Sequence, residues 1–267
     1  MLYFVSTPIG NLKDVSYRAI ETLNQVDLIL CEDTRHSLRL LDHYGIKKPL
    51  ESYHKFNEKD KASEVISLLK EGKNIAVISD AGTPVISDPG NHLTKLLSSE
   101  GIEYTVIPGA TAFVPALLLS GLDCSSFTFV GFLPEKNKDK DSVIKKVENA
   151  EQTLIFYSAP HDINKDLLYL YQKLGDRKFS AVKEITKLHE TVYKGNLSTA
   201  SISEPKGEFV IIVEGAKEAK KEFLLTEIEH VELYISRGLT KKEAISKVAE
   251  ERGVNKNALY KSIIKEG

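Results

Sequence analysis

The chain has 267 residues, 42% hydrophobic and 28% charged, enough apolar material to bury a sizeable core and unlike a disordered segment. Its formal net charge of −2 excludes a global basic field for nucleic acid, so any RNA contact has to use a local patch. Cys31 and Cys124 lack metal-site or disulfide spacing, which fits a reducing, cytoplasmic setting, and the longest apolar stretch, 112–122, carries Pro115 and Gly121 and is too short to span a membrane.

The start, MLYFVSTPIG, has neither the basic n-region nor the long apolar run of a signal peptide. Residues 2–5 read as a strand and 6–12 as a tight loop; Asp14 then caps a helix with Val15, Ala19, Leu23 and Val26 on one face. A second strand, 26–30, ends in Cys31-Glu32-Asp33-Thr34-Arg35-His36. Thr34 is placed to cap the helix that stops at Gly45. The acidic pair at this strand end has two compatible readings. It complements the helix N-terminus, with Arg35 paired to one carboxylate, or it serves catalysis. Residues 52–58 form a polar loop or edge strand carrying His54, whose default reading is a solvated loop histidine, before a helix with Ala62, Val65, Ile66 and Leu69 inward.

Residues 75–90, IAVISDAGTPVISDPG, are the centre of the chain. A buried parallel strand runs into a loop with two carboxylates, Asp80 and Asp88. Strand, Gly/Pro/Asp loop, then helix is where open α/β sheets bind ligands, and long turn-rich loops in compact domains tend to be functional. A helix over 92–99 and a strand over 104–107 follow. Pro108-Gly109-Ala110-Thr111-Ala112 then opens a small-residue helix whose N–H groups face outward to a ligand, or serves as a plain interdomain turn. The β/α alternation pauses here, so the domain boundary falls at 109/110. In the second half, strands are expected at 127–130, 154–157, 179–184, 192–193 and 207–213, with some antiparallel pairing, and the charged EKNKDKD segment at 135–141 as a loop. From Lys217 the composition turns to lysine, glutamate and alanine, and helices separated by Gly253 resemble helix-turn-helix; mixed charge leaves a solubilised cap equally open.

Taken in order, TPIGNL, CEDTRH, SDAGTPVISDPG, PGATA, GFLP and GEFV make a set far more specific than any one of them. This set resembles the ribosomal RNA small-subunit methyltransferase I family of the tetrapyrrole (corrin/porphyrin) methylase superfamily, over essentially the whole chain. The resemblance implies an α/β fold with an N-terminal Rossmann-like domain over 1–109, a second α/β domain over 110–216 and a helical extension over 217–267. It also implies a homodimer, S-adenosylmethionine in the cleft, and 2′-O-methylation of a cytidine in the decoding region of 16S ribosomal RNA or of the small ribosomal subunit. By position, Pro8 and Gly10 match its N-terminal glycine loop, Asp80, Gly82, Thr83 and Pro84 its cofactor loop, and Thr111 and Ala112 its second cofactor contact. Tyr157, Phe209 and Val210 fall where adenosine is held. One departure is Tyr157-Ser158-Ala159-Pro160-His161-Asp162, where the family commonly reads Tyr-Glu-Ser/Ala-Pro-His-Arg.

A ribose hydroxyl is a poor nucleophile at neutral pH, so a general base or a cation for the developing alkoxide is expected. Strand-end placement makes Glu32 or Asp33 the candidate base or orienter and Arg35 the partner of a phosphate or carboxylate. His36, His54 and Asp88 are candidates on the substrate side. No metal cluster is evident. The alternatives are a methylase of a tetrapyrrole or other small molecule, and a non-catalytic RNA-binding or ribosome-assembly module.

Overall fold

The computed structural model describes residues 1–217 and 225–265. Residues 218–224 and 266–267, part of the expected helical extension, lie outside them. The chain forms two compact units, Met1–Ala216 and Lys217–Gly267.

The first unit holds two five-stranded sheets. In the first, β1 (Leu2–Val5), β2 (Leu28–Cys31), β3 (Leu50–Ser52), β4 (Ile75–Val77) and β5 (Tyr104–Ile107) are all parallel, in the order β3-β2-β4-β1-β5. The three central strands, β2, β4 and β1, are apolar because helices cover both faces. Leu28, Leu30, Ile75 and Val77 pack with α3 (Glu58–Lys70) and α4 (Asn91–Ser99). Their alternating neighbours Ile29, Cys31 and Ala76 pack with α1 (Tyr17–Gln25) and α2 (Thr34–His43). Chain direction across the sheet reverses between β1 and β4, and the loops that follow these strands lie side by side, joined by the Thr7–Gly82 bridge. Such a switch point is where doubly wound sheets bind ligands.

The second sheet comprises β6 (Phe127–Phe132), β7 (Thr153–Ser158), β8 (Lys178–Lys183), β9 (Thr191–Asn196) and β10 (Phe209–Val213), in the order β6-β7-β10-β8-β9. Only β6 and β7 pair in parallel; the remaining pairs are antiparallel. Leu154 and Phe156 of β7 face α7 (Ile163–Leu174), whereas Ile155 and Tyr157 face α5 (Phe113–Ser120) and Ile9 of the first loop. In the second unit, α8 (Glu227–Ser236), α9 (Lys241–Arg252) and α10 (Lys256–Lys265) enclose Val231, Ala244, Ile245, Val248 and Leu259. Thr226 and Thr240 close capping boxes with Glu229 and Glu243, and Gly253 ends α9 in the left-handed conformation. Among the described residues, no helix is long and apolar enough to cross a membrane.

Three local expectations need correction. Ser16, not Asp14, caps α1; Asp14 sits in the short 3-10 turn before it. Asp33, not Thr34, caps α2, its carboxylate accepting from the Arg35 and His36 amides. In each case the competing side chain lies one or more residues off the position that reaches the free N–H groups. The EKNKDKD segment is largely helical, within α6 (Asn137–Lys145). Its charges are absorbed by α7: Lys140 pairs with Asp166, and Asp141 takes Lys173 and the Tyr169 hydroxyl. Ile144 is buried beneath, so tertiary pairing outweighs the local polarity that suggested a loop.

Candidate active site

The site grows from the loops after β1, β4 and β5. Thr7 and Gly82 exchange backbone hydrogen bonds at 2.9 and 3.1 Å, and the Ser6 and Thr83 hydroxyls meet at 2.9 Å. Ser79 Oγ donates to the Gly82 carbonyl at 3.1 Å. Gly82 has φ +84°, and a Cβ there would lie 3.2 Å from the Ile9 methyl, so both backbone conformation and space call for glycine. Gly109 packs so closely on Ser6 that a Cβ would approach its Cβ to 2.8 Å. Beyond Gly82, Val85 (φ 75°) and Ser87 (φ 66°) hold left-handed backbone, which costs on the order of 1–3 kcal/mol each and is rare for a β-branched residue. The far end of the loop is pinned by Glu58, whose carboxylate accepts from the Gly90 and His92 amides, each at 3.0 Å.

These loops and the facing edge of the second sheet enclose a cavity of about 380 Å³. That volume suits a cofactor-sized ligand. Its apolar wall comes from Ile9, Phe113, Tyr157, Val182, Phe209 and Val210. Phe129 sits behind this wall, its ring 4.9 Å from Phe113 and 5.1 Å from Tyr157. Burial pushes the Tyr157 phenol up to about 12, so it stays protonated. The polar wall is Asp80, Thr83, Ser87, Asp88 and Thr111.

Carboxylates crowd this wall. Burial first, then the nearby charges of Glu32 and Asp80, push the Asp88 carboxyl up to about 6, against a Ser79 hydrogen bond that pulls it down. Glu32 is also raised, by burial and then by Asp80, with His54 acting the other way. The His54 Nδ1 atom is buried without a hydrogen-bond partner among the described residues. Asp33 differs. Hydrogen bonds from its helix, first from the Arg35 amide at 2.8 Å, hold its carboxyl below the ordinary range. Arg35 extends into solvent, 89% exposed, with its guanidinium 3.6 Å from Asp33.

Asp80, Gly82, Thr83, Asp88, Thr111, Ala112, Tyr157, Phe209 and Val210 all line the cavity. Pro8, Gly10 and Pro84 belong to the enclosing loops but are not in its lining. Gly10 lies against the loop after β8, where a Cβ would meet the Lys187 side chain at 2.5 Å. Glu32, exposed at the end of β2, is coupled by charge to Asp80 and Asp88, and His54 to Glu32, while Asp33, Arg35 and His36 sit on the outer turn of α2. Phe113, Phe132, Val182, Ile185 and Glu208 line the cavity without having been singled out. Only Phe132, in the GFLP stretch, and Glu208, in GEFV, carried a signal in the sequence. Of the two departures, Ser158 is buried and donates to Asp166 at 2.7 Å, and Asp162 meets Lys165 at 3.5 Å and His161 at 3.1 Å. Among the described residues, no group of three His, Cys, Asp or Glu side chains is arranged to hold a metal ion.

The model of the tetrapyrrole (corrin/porphyrin) methylases matches residues 1–201. The ribosomal RNA small subunit methyltransferase I of Bacillus subtilis (strain 168) is 42% identical across 97% of this chain and 92% of its own length. That of Haemophilus influenzae (strain ATCC 51907 / DSM 11121 / KW20 / Rd) is 44% identical across 97% of this chain and 95% of its own. Among solved structures, diphthine synthase superposes with a TM-score of 0.65 at 14% identity, over 80% of this chain and 89% of that one. The uroporphyrin-III-C-methyltransferase of Thermus thermophilus gives 0.57 at 18% identity, over 79% and 93%. At such identities these two speak for the fold alone.

Proposed function

Because the chain belongs to the tetrapyrrole (corrin/porphyrin) methylase family, and within it to the ribosomal RNA small subunit methyltransferase I proteins, we propose that it methylates the ribose 2′-oxygen of a cytidine in the decoding region of 16S ribosomal RNA. Methyltransferases of this family use S-adenosylmethionine, and this chain is such an enzyme. Its cavity fits that cofactor. The aromatic and aliphatic wall around Tyr157, Phe209 and Val210 suits an adenine ring. The Gly82 turn, where a side chain would crowd Ile9, admits close backbone approach, and Asp80 and Thr111 offer partners to ribose and ammonium groups.

When bound, the sulfonium supplies an electrophilic methyl group open to in-line attack. What the protein adds is position and one proton transfer. The observation that carries the reading is Asp88, a cavity carboxylate pushed up to about 6. A base of that strength is mostly ionised at neutral pH yet basic enough to accept a proton from a hydroxyl that is being alkylated. Glu32 supports this role: with burial the larger cause, its charge helps to keep Asp88 basic. Asp33 positions the α2 turn as its cap, and Arg35 and His36, exposed on that turn, meet the RNA backbone.

The homodimer is supported by apolar side chains left exposed on the edge strand β5, Tyr104 and Val106, and on α5, Val114, Leu118 and Leu119. Division of the α/β unit at 109/110 gives each sheet one wall of the cavity. Two free cysteines, one buried, are in keeping with a cytoplasmic setting. The test is transfer of label from S-adenosylmethionine to small ribosomal subunits, naked 16S rRNA and a porphyrinogen in parallel. Label in RNA supports the reading; label in the porphyrinogen alone replaces it with a small-molecule methylase.

A further inference from the structure

A second cavity, about 590 Å³, opens beside the first and shares Phe132, Tyr157 and Ala159 with it. It lies over α6 and α7, outside every residue singled out for the cofactor or the base apart from the shared wall. We propose that this cavity is the acceptor-base subsite, which takes the extruded cytosine and reads its edge through Asp162 and Lys165. The inference rests on the rRNA reading above.

Contiguity is the first argument. Methyl transfer needs donor and acceptor in line across a shared boundary, and a cavity of 380 Å³ filled by a cofactor leaves no room for a nucleotide. The Phe132 and Tyr157 rings, in edge contact at 5.3 Å, form that boundary. A base in the second cavity brings its ribose against these rings, facing the first. Enzymes that modify a nucleotide in structured nucleic acid take it out of the stack into such a pocket.

The lining chemistry selects a base over a phosphate. Each lysine that lines the cavity already has a carboxylate: Lys140 with Asp166, Lys165 with Asp162, Lys173 with Asp141. A phosphate needs uncompensated cations, whereas this surface offers donors and acceptors side by side, the pattern of a nucleobase edge. Cytosine presents an amino donor next to ring acceptors; uracil presents a carbonyl where the amino group stands. The pairs also differ in firmness. Asp166 is fixed from both sides, by Ser158 at 2.7 Å and Lys140 at 3.2 Å, and forms the floor. Asp162 and Lys165 meet at 3.5 Å with 39% and 75% of their side chains exposed, so their contact opens at little cost when a ligand competes.

The experiment compares wild type, Asp162→Asn and Gln172→Trp on small subunits carrying cytidine or uridine at the acceptor position, with S-adenosylmethionine affinity measured by calorimetry. Wild type is expected to favour cytidine by about tenfold in kcat/KM, the worth of one hydrogen bond to a charged group. Asp162→Asn should erase most of that preference, Gln172→Trp should block transfer by filling the cavity, and neither should move cofactor affinity. Unchanged preference in Asp162→Asn, or full transfer by Gln172→Trp, overturns the subsite while leaving the rRNA reading intact. Absence of RNA methylation by wild type overturns both.

Discussion

Replacing Asp88 with asparagine should make the protein more stable and nearly inactive, and both effects should grow as pH rises through the Asp88 titration. The carboxyl sits at about 6 against an ordinary value of 3.8. That gap corresponds to about 3 kcal/mol of preference for the neutral form in the folded state. Partial exposure of the loop to solvent reduces the net figure to about 1–2 kcal/mol. Because the folded value is raised, the penalty is absent below pH 3.8, where both states are protonated. It grows as pH climbs through 6 and is complete above it. Asp88→Asn should therefore gain about 1–2 kcal/mol in urea unfolding at pH 8 and nothing near pH 3.5. Single-turnover methyl transfer by wild type should rise with pH through about 6 and level off, and the variant should lose roughly 10²–10⁴-fold at pH 8. Equal stability of the two proteins at pH 8, or turnover that survives the substitution, refutes the reasoning.

Gly82→Ala forces a side chain onto φ +84° and against Ile9, and should cost about 1–3 kcal/mol and weaken cofactor binding, as read by thermal unfolding and calorimetry. Wild-type affinity in that variant would show that the turn does not shape the pocket. Asp33→Ala removes the α2 cap, which should cost about 1 kcal/mol and reduce kcat less than Glu32→Gln does; the reverse order would return the base role to Asp33. Lys140→Met leaves the Asp166 carboxylate buried without its cation, held by the Ser158 hydroxyl, for a loss of about 3 kcal/mol in denaturant unfolding, and adding Asp166→Leu should recover most of it. Additive losses would mean that the pair is not a unit.

The first sheet was legible because its signals are local. Apart from the polar edge strand β3, each strand is a short apolar run, and each following loop is marked by glycine, proline or aspartate near the strand's carboxyl end, as with Ile75 to Val77 and the Asp80–Gly82 turn. The assignment of Asp80, Gly82, Thr83, Tyr157 and Phe209 to a cofactor came from the family resemblance, and these residues line one cavity. What stayed hidden depends on contacts between distant segments. Nothing local tells that Val182 and Ile185 turn toward the cavity, or that the polar run at 137–145 folds as a helix because Asp166 and Lys173 await it on α7. The strand-end acids show the same limit. Glu32 and Asp33 are adjacent and chemically alike, yet one is partly desolvated near Asp80 and rises while the other caps a helix and falls.

The most direct measurement is the identity of the methylated nucleoside. Small subunits lacking the modification are incubated with the enzyme and labelled S-adenosylmethionine, and the 16S rRNA is then digested to nucleosides and separated. Label in 2′-O-methylcytidine from the decoding region is the predicted result. Label in a base-methylated nucleoside or another ribose, or no label in RNA while the cofactor still binds, would contradict it.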